Sequence, residues 1–331
     1  MPDNFRAVTS EIGNPKSKIP APLVALVAVL AAAAGLSAFS DHFDPYYLDV
    51  AIGIGINVIL AVSLNLVNGY TGQFSLGHAG FMSVGAYLSA AVTMLLAPKL
   101  FGESGGAVWQ QNTLFFAALV AGGLSAAFAG LLVGLPSLRL KGDYLAIVTL
   151  GFGEIIRVIF QNSEPLGGAL GLNGIPAYTT IFWVLAFGAI TVFTVWCLVH
   201  STYGRGFLAT HDDEIAAEAI GLNTTRYKIV AFVVGAFFAG VAGGLYGHFK
   251  QSISPSGFDF TKSIEIVVMV ILGGMGNTIG VILAAVLLTL LPEVLRPIAD
   301  YRMILYSLLL IVLMLVRPQG LFNFSLRRSK S

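Results

Sequence analysis

The chain contains repeated apolar stretches long enough to cross a lipid bilayer, and this pattern limits its fold more than any other feature. A helix needs about 20 mainly apolar residues to span the hydrocarbon core. Only 11% of the residues are charged, against about 25% in an ordinary soluble domain. The sequence therefore predicts an all-α, polytopic membrane helix bundle. The apolar stretches are residues 21–39, 46–66, 76–97, 113–135, 144–160, 178–199, 229–248, 264–291 and 303–316.

Two of these regions are irregular. The stretch 264–291 is too long for one span and contains GGMGNTIG at residues 273–280, whose glycines favour a break. Polar and small residues in NGYTGQFSLGHAG precede the third span, so this segment is either non-helical backbone that lines a pathway or its gate, or a tight helical hairpin. We expect broken or re-entrant segments near 68–80 and 273–280, and a total of eight to ten transmembrane segments.

Basic residues predict the orientation, because cytoplasmic loops carry an excess of lysine and arginine. With a cytoplasmic N-terminus, the basic residues of three regions fall on the cytoplasmic side, and ten crossings bring the C-terminus to the same side. This predicts a cytoplasmic tail at 1–20, a transmembrane domain at 21–316 with a cytoplasmic loop at 200–228, and a cytoplasmic tail at 317–331. The basic residues are Arg6, Lys16, Lys18, Arg139, Lys141, Arg205, Arg226 and Lys228.

Residues of the two irregular segments, and polar residues inside predicted spans, are candidates for lining a pathway. His78 has no acidic neighbour in the sequence, which favours a hydrogen-bonded structural role. Glu154 and Arg157 share one helical face, so a structural ion pair is favoured over binding of a zwitterionic solute. The candidate pathway-lining residues are Gln73, Ser75, His78, Glu154, Arg157, Gly273, Gly274 and Gly276.

The stretch GRGFLATHDDEIAAEAIGLNTTRYK, residues 204–228, is unusually charged for this chain. Thr210 with Asp213 three residues later is typical of a helix N-cap and an acidic first turn. Gly221 provides a C-terminal stop. The pattern predicts a helix at 211–220, which is about 15 Å long and too short to span a membrane.

One face of this predicted helix is apolar and carries Ile215, Ala216, Ala219 and Ile220. Such a short amphipathic helix is marginal alone in water, so it needs a partner surface. A groove on a soluble protein is favoured over lipid headgroups, because an acidic helix is disfavoured at an anionic leaflet. A solvated helix that merely joins two spans is the remaining alternative.

Several separated motifs resemble the branched-chain amino acid permease family of ABC importers. They are LNLVNGYTGQFSLGHAGFMSVGAYLSA at 64–90, GDYLAIVTLGFGEIIRVI at 142–159, GGALGLNGIP at 167–176, DEIAAEAIGLNTTRYKIVAFVVGAFFAGVAGGLYG at 213–247 and VVMVILGGMGNTIGVILAA at 267–285. The segment LAIVTLGFGEIIR resembles the larger of the two partner permeases in that family. EAIG preceded by EIAA departs from the stricter loop motif of other importer classes.

The resemblance implies a permease subunit of a bacterial inner-membrane importer, without cofactor or enzymatic activity. It also implies that 21–316 is the transmembrane permease domain and that the cytoplasmic loop at 200–228 is its coupling loop. Its implied partners are a paralogous permease, two cytoplasmic ATP-binding cassette subunits and an extracytoplasmic solute-binding protein. The substrates would be branched-chain or related amino acids, with urea, short amides and aromatic acids as alternatives. The residues implied to couple to the ATPase are Asp212, Asp213, Glu214, Ile215, Ala216, Glu218, Ala219, Ile220 and Gly221.

Two other functions are alternatives to a permease subunit. An ion-coupled secondary transporter or channel for small polar solutes would need a deep ion-coupling carboxylate, and Glu154 is the strongest candidate. A membrane enzyme would need a catalytic cluster, and the sequence contains no HExxH motif. The phosphate-binding motif GxxxxGK[ST] is also absent from the sequence, so ATP binding by that motif is excluded.

Overall fold

The computed structural model describes residues 21–39, 43–102, 107–137, 140 and 142–296, together with positions 304, 307, 308, 311, 312, 320 and 321. The predicted tails at 1–20 and most of 317–331 lie outside these residues, as do Arg139, Lys141 and most of the predicted span 303–316. The helices of the described part are α1 (Ala21–Ala38), α2 (Pro45–Asn65), α3 (His78–Phe101), α4 (Val108–Ser137), α5 (Asp143–Gln161), α6 (Ile181–His200), α7 (Thr202–Asp212), α8 (Glu214–Ala219), α9 (Thr224–Lys250), α10 (Phe260–Gly273) and α11 (Thr278–Val294).

The prediction of an all-α membrane bundle is confirmed. Within the described residues, six helices are long and apolar enough to cross a membrane, and two shorter apolar helices cover Leu23–Ser37 and Thr278–Val294. The long stretch 264–291 is divided between α10 and α11, as the glycine cluster predicted. A short antiparallel pairing of β1 (Leu172–Asn173) with β2 (Ser252–Ile253) closes the bundle beside the end of α9.

Small residues allow the three most closely packed helices, α3, α4 and α9, to approach one another. Gly240 of α9 lies against the backbone of Gly85 in α3 and of Gly122 in α4. A β-carbon on Gly240 would lie 2.8 Å from the Gly122 carbonyl oxygen, and one on Gly244 would lie 2.7 Å from the Leu119 side chain. This glycine pair therefore lies where the helix backbones approach one another closely.

Helix starts in this chain are set by short polar side chains that accept hydrogen bonds from otherwise unpaired backbone N–H groups. The capping carboxylates and amides belong to Asp44, Asp213, Asn223, Asp259 and Asn277. These caps fix where α2, α8, α9, α10 and α11 begin. They therefore also fix where the loop before α8 and the glycine-rich break before α11 end.

Candidate functional site

The predicted helix 211–220 in the coupling loop is wrong, because the structure divides it between α7 and α8. Thr210 does not cap a helix: it is buried inside α7, where its hydroxyl donates to the Gly206 carbonyl oxygen at 2.8 Å. Asp213 is the true cap. Its backbone is extended, with φ −158° and ψ 107°, and one carboxylate oxygen accepts from the N–H groups of Ile215 at 2.9 Å and Ala216 at 3.0 Å. Asp212 is the last residue of α7.

The predicted stop at Gly221 agrees with the geometry of the helix end. Gly221 has φ +87°, a conformation that glycine adopts without a steric penalty. Its N–H donates to the Glu218 carbonyl at 2.9 Å, and the N–H of Leu222 donates to the Ala217 carbonyl at 3.0 Å. This pair of bonds is the Schellman motif. Helix α8 is therefore closed at both ends, although it has only six residues.

The predicted apolar face of α8 is exposed on the described chain. The exposed fractions of Ile215 and Ile220 are 73% and 78%, and Ala216 and Ala219 are exposed beside them. Large apolar side chains grouped in this way indicate a surface that another molecule covers. We call these four residues the α8 ridge.

The acidic residues of α8 hold it against α9 of the same chain. A carboxylate oxygen of Glu214 lies 2.7 Å from Nζ of Lys228, whose side chain is only 7% exposed. Glu218 accepts a hydrogen bond from the Thr224 hydroxyl at 2.7 Å. Both acidic contacts are therefore made within this chain. They fix the orientation of the α8 ridge relative to a long membrane helix.

The first predicted break is present as non-helical backbone at residues 71–77, between a π-helical turn at Leu66–Tyr70 and α3. Its buried backbone groups find side-chain partners from other segments, as buried irregular backbone requires. Asn68 accepts from the Ser75 N–H at 3.2 Å, and Thr149 of α5 accepts from the Leu76 N–H at 3.0 Å. We call residues 71–77 break 1.

Three of the candidate pathway residues lie in or beside break 1, and they differ in whether their polar groups have hydrogen-bond partners. Ser75 is buried and its backbone is held by Asn68. Nε2 of His78 lies 2.9 Å from Oγ of Ser63, which is the structural role that the sequence favoured. Gln73 is only 3% exposed, yet neither polar atom of its side chain has a partner among the described residues. A buried, unpartnered amide of this kind requires an explanation.

The second break, residues 274–277 between α10 and α11, contains Gly274 with φ +91° and Gly276 with φ +80°. Gly273 ends α10 and is buried beside α11. The Gly276 N–H donates to Oδ1 of Asn65 at 2.9 Å, and the Tyr70 and Thr278 hydroxyls lie 2.8 Å apart. We call residues 274–277 break 2. It is joined to the end of α2 and to the π-helical turn that leads into break 1.

Break 1 also contacts the coupling loop. Gly72, with φ +67°, packs against His211 near the end of α7, and a β-carbon at Gly72 would lie 3.3 Å from the His211 Cα. His211 precedes the cap of α8 by two residues. A continuous set of contacts therefore runs from α8 through the end of α7 to break 1, and through the π-helical turn to break 2.

Glu154 and Arg157 form the ion pair predicted from their spacing, with Nε of Arg157 2.7 Å from Oε2 of Glu154. About a third of each side chain is exposed, with fractions of 37% for Glu154 and 28% for Arg157. Both lie on α5, and only 17% of the apolar segment of this helix is buried within the described chain. The pair therefore lies at the outer surface of the chain.

Several residues that hold the breaks were missed by sequence reasoning. Asn65, Asn68, Thr149 and Ser263 each donate to or accept from backbone of a break or of the start of α3. Asn65 and Asn68 are polar residues at the end of an apolar span, which is a usable signal. Thr149 and Ser263 give no such signal, because single hydroxyl residues are common in membrane helices and only tertiary contact identifies their partners.

Comparison with known proteins identifies relatives that are permease components of branched-chain amino acid transport systems. The family model described as "Branched-chain amino acid transport system / permease component" matches residues 46–316. The permease protein LivM of the high-affinity branched-chain amino acid transport system of Salmonella typhimurium is 36% identical over 83% of this chain and 69% of its own length. LivM of Escherichia coli K12 gives the same values. No solved structure matches the chain.

A second type of relative is more distant. LivH of Escherichia coli K12, another permease protein of a high-affinity branched-chain amino acid transport system, is 22% identical over 80% of this chain and 90% of its own length. The greater similarity to LivM agrees with the resemblance of LAIVTLGFGEIIR to the larger partner permease.

Proposed function

We propose, because this chain belongs to the family of branched-chain amino acid transport permease components, that it is one of two permeases in an ATP-driven importer of the bacterial inner membrane. The second permease is a paralogue, and the two form the pathway together. A solute-binding protein outside the membrane delivers branched-chain or related amino acids. Two cytoplasmic ATP-binding cassette subunits hydrolyse ATP, since this sequence has no GxxxxGK[ST] motif.

The α8 ridge is the observation that supports this proposal most strongly. Ile215 and Ile220 are exposed while both ends of α8 are fixed by a cap and a Schellman motif. Burial of the two isoleucines in a groove of an ATPase subunit contributes about 3–6 kcal/mol before the costs of association. The residues of this contact are Asp212, Asp213, Glu214, Ile215, Ala216, Glu218, Ala219, Ile220 and Gly221, with the acids orienting the helix and the ridge making the contact.

Movement of α8 reaches the membrane part of the chain through two routes. Lys228 and Thr224 transmit it to α9, and His211 transmits it to break 1. Non-helical backbone at membrane depth is tolerated where it faces protein or a water-filled cavity. We assign Gln73, Ser75, His78, Gly273, Gly274 and Gly276 to the part of the pathway that rearranges when ATP binds, with the unpartnered Gln73 amide exposed to solute in one of the two states.

The outer face of α5 is the part of this chain that we assign to the contact with the paralogous permease. An ion pair in a membrane helix is disfavoured against lipid and favoured where protein or water surrounds it. Glu154 and Arg157 are partly exposed on a helix that few residues of this chain cover. Their mutual pairing leaves little charge for a solute, which is also the observation against an ion-coupled transporter.

Reconstitution tests the proposed function directly. The chain is purified with its paralogous permease and ATPase subunits, placed in proteoliposomes and supplied with the binding protein and radiolabelled leucine. We expect uptake that requires ATP and the binding protein and that persists when ion gradients are collapsed. Uptake that follows an imposed ion gradient without ATP would contradict the proposal and would support the ion-coupled alternative.

A further inference from the structure

A polar cleft of about 480 Å³ opens at the end of the bundle opposite α8. Helix α9 begins beside α8 and ends at Lys250, which lines the cleft, so the two sites are separated by about 40 Å along this 27-residue helix. The other walls come from α2, α3, α10 and α11. Charges of both signs line it, from Asp49, Lys250, Lys262, Glu293 and Arg296.

The floor of the cleft holds a lysine in a fixed hydrogen-bond network. Nζ of Lys262 donates to Oε2 of Glu265 at 2.9 Å and lies 3.5 Å from Oδ1 of Asn57. Asn57 in turn donates to the Thr289 hydroxyl at 2.9 Å. An ammonium group has three N–H donors, so these contacts leave one donor of Lys262 for a bound group. The side chain of Lys262 is 21% exposed, and Asn57 is buried.

The α2 and α11 side of the cleft provides carboxylates. The Tyr46 hydroxyl donates to Oε2 of Glu293 at 2.6 Å, and the Arg296 guanidinium lies 5.1 Å from the centre of the Tyr46 ring. Asp49 is exposed one helical turn after Tyr46 and lines the same cleft. A carboxylate can accept about four hydrogen bonds, so the Tyr46 contact leaves acceptor capacity on Glu293.

Apolar side chains complete the lining, among them Val50, Ile56, Met82 and Phe249. A lysine on one side, carboxylates on another and an apolar wall together complement a small apolar α-amino acid, because each charge of the zwitterion meets its opposite. The volume lies within the usual range of about 300–1,000 Å³ for small-molecule sites.

We propose that this cleft is an entry site for the free amino acid within this permease. The α-carboxylate binds Lys262, the α-ammonium binds Glu293 with Asp49 nearby, and the side chain packs beside Met82 and Phe249. The inference rests on the proposed function for the identity of the solute. It adds a binding site inside one subunit, apart from the breaks and from the α5 contact with the paralogue.

Direct binding tests this site without the solute-binding protein, which would otherwise bind the same solute. The importer without that protein is placed in nanodiscs of phosphatidylglycerol, whose headgroup carries no ammonium group and cannot mimic the zwitterion. Binding of leucine, leucinamide and 4-methyl-2-oxopentanoate is measured by saturation-transfer NMR. We expect leucine to bind and each analogue, which lacks one charge, to bind about tenfold or more weakly. Absence of a leucine signal, or equal binding of all three compounds, would overturn the proposal.

Variants separate a binding role of Lys262 from a structural one. Lys262→Met is expected to weaken leucine binding about tenfold, and the swap of Lys262→Glu with Glu265→Lys is expected not to restore it. Lys99→Met is the matched control, since Lys99 is exposed near the end of α3 and does not line the cleft. Unchanged leucine binding by Lys262→Met, or recovery of leucine binding in the swap, would show that the Lys262–Glu265 pair only supports the fold.

Glu293→Gln provides a second test if Lys262→Met does not fold. It is expected to weaken leucine binding while leaving the weaker binding of 4-methyl-2-oxopentanoate unchanged, because that compound has no ammonium group. Equal loss of both ligands would contradict the assigned orientation. ATP-dependent uptake by the unmodified importer is measured in parallel. If uptake occurs but these variants bind leucine normally, the cleft assignment is wrong and the importer function stands; if uptake is absent, the proposed function itself is wrong.

Discussion

The side-chain oxygen of Asn65, at the end of α2, accepts a hydrogen bond from the backbone of break 2. This single contact joins two regions that are 211 residues apart in the sequence. Similar single contacts hold break 1, through Asn68 and Thr149. Polar groups buried in a membrane bundle have no water to compensate for a lost partner. At the residue scale, the breaks therefore depend on a small number of amides and hydroxyls.

Asn65→Leu removes the acceptor for the Gly276 N–H and leaves that donor unpaired. The expected loss of stability is about 1–3 kcal/mol. Thermal unfolding of the purified protein in detergent measures it, with Asn162→Leu as the control because Asn162 is exposed and bonds only within its own helix end. Equal melting temperatures for the two variants would contradict the assigned role of Asn65.

Substitution of Gly221 tests whether the end of α8 needs the backbone conformation of this residue. No atom lies within 4 Å of a β-carbon built at this position, so substitution acts through φ and not through crowding. Gly221→Val is expected to cost about 1–3 kcal/mol because a branched residue is strained at φ +87°, whereas Gly221→Asn is tolerated better. Capture of the ATPase subunits by each variant is the measurement. If the two substitutions reduce capture equally, capture does not depend on the backbone conformation at position 221.

The apolar face of helix α8 is specified by its sequence, and the orientation of that face is specified by tertiary contacts. The pattern of isoleucines and alanines determines which face is apolar, and Glu214 and Glu218 determine how that face is turned, through Lys228 and Thr224. A six-residue helix is unstable alone. Its attachment to α9 through Lys228 and Thr224 therefore holds it against the bundle, which the proposed coupling requires.

Replacement of the ridge tests the proposed contact with the ATPase. Ile215→Lys with Ile220→Lys is expected to leave the protein folded, because both side chains are exposed, and to abolish capture of the ATPase subunits by placing two charges in an apolar groove. Leu100→Lys, at the end of α3 and 62% exposed, is the matched control. Intact capture by the double variant, measured in the same pull-down, would rule out the ridge as the docking surface.

The whole molecule has two distinct ends joined by α9. One end carries α8, the contact of His211 with break 1 and the start of α9, and the other carries the β1–β2 pairing and the polar cleft. The basic residues of the coupling loop predict that the first end is cytoplasmic. In the proposed importer, the second end then faces the compartment from which the binding protein delivers solute.

Cysteine labelling tests this orientation. Cys197 is the only cysteine in the chain, so Cys197→Ser gives a background without thiols. In intact cells, a membrane-impermeant maleimide is expected to label Ser256→Cys and to label Asp212→Cys only after permeabilisation, since both positions are exposed on the described chain. Labelling of Asp212→Cys in intact cells would invert the predicted topology and exclude a cytoplasmic ATPase at α8.

Part of the candidate site was predictable because its signals are local. The break in 264–291, the stop at Gly221, the apolar face of α8 and the Glu154–Arg157 pair follow from glycine conformational freedom and from residue spacing along a helix. The start of α8 was predicted wrongly. Thr210 and Asp213 both have the chemistry of a cap, and only burial of Thr210 inside α7 selects between them.

The sequence by itself determined that this chain is an all-α membrane protein with two interrupted spans and one charged loop, because bilayer thickness and helix periodicity act on neighbouring residues. Tertiary structure alone decided that break 2 contacts Asn65 and the π-helical turn before break 1, that break 1 touches His211, and that Asp49, Lys262 and Glu293 line one cleft. Those contacts join residues far apart in the chain. Their partners are chosen by how the helices pack, for which the order of residues in any one segment gives no local signal.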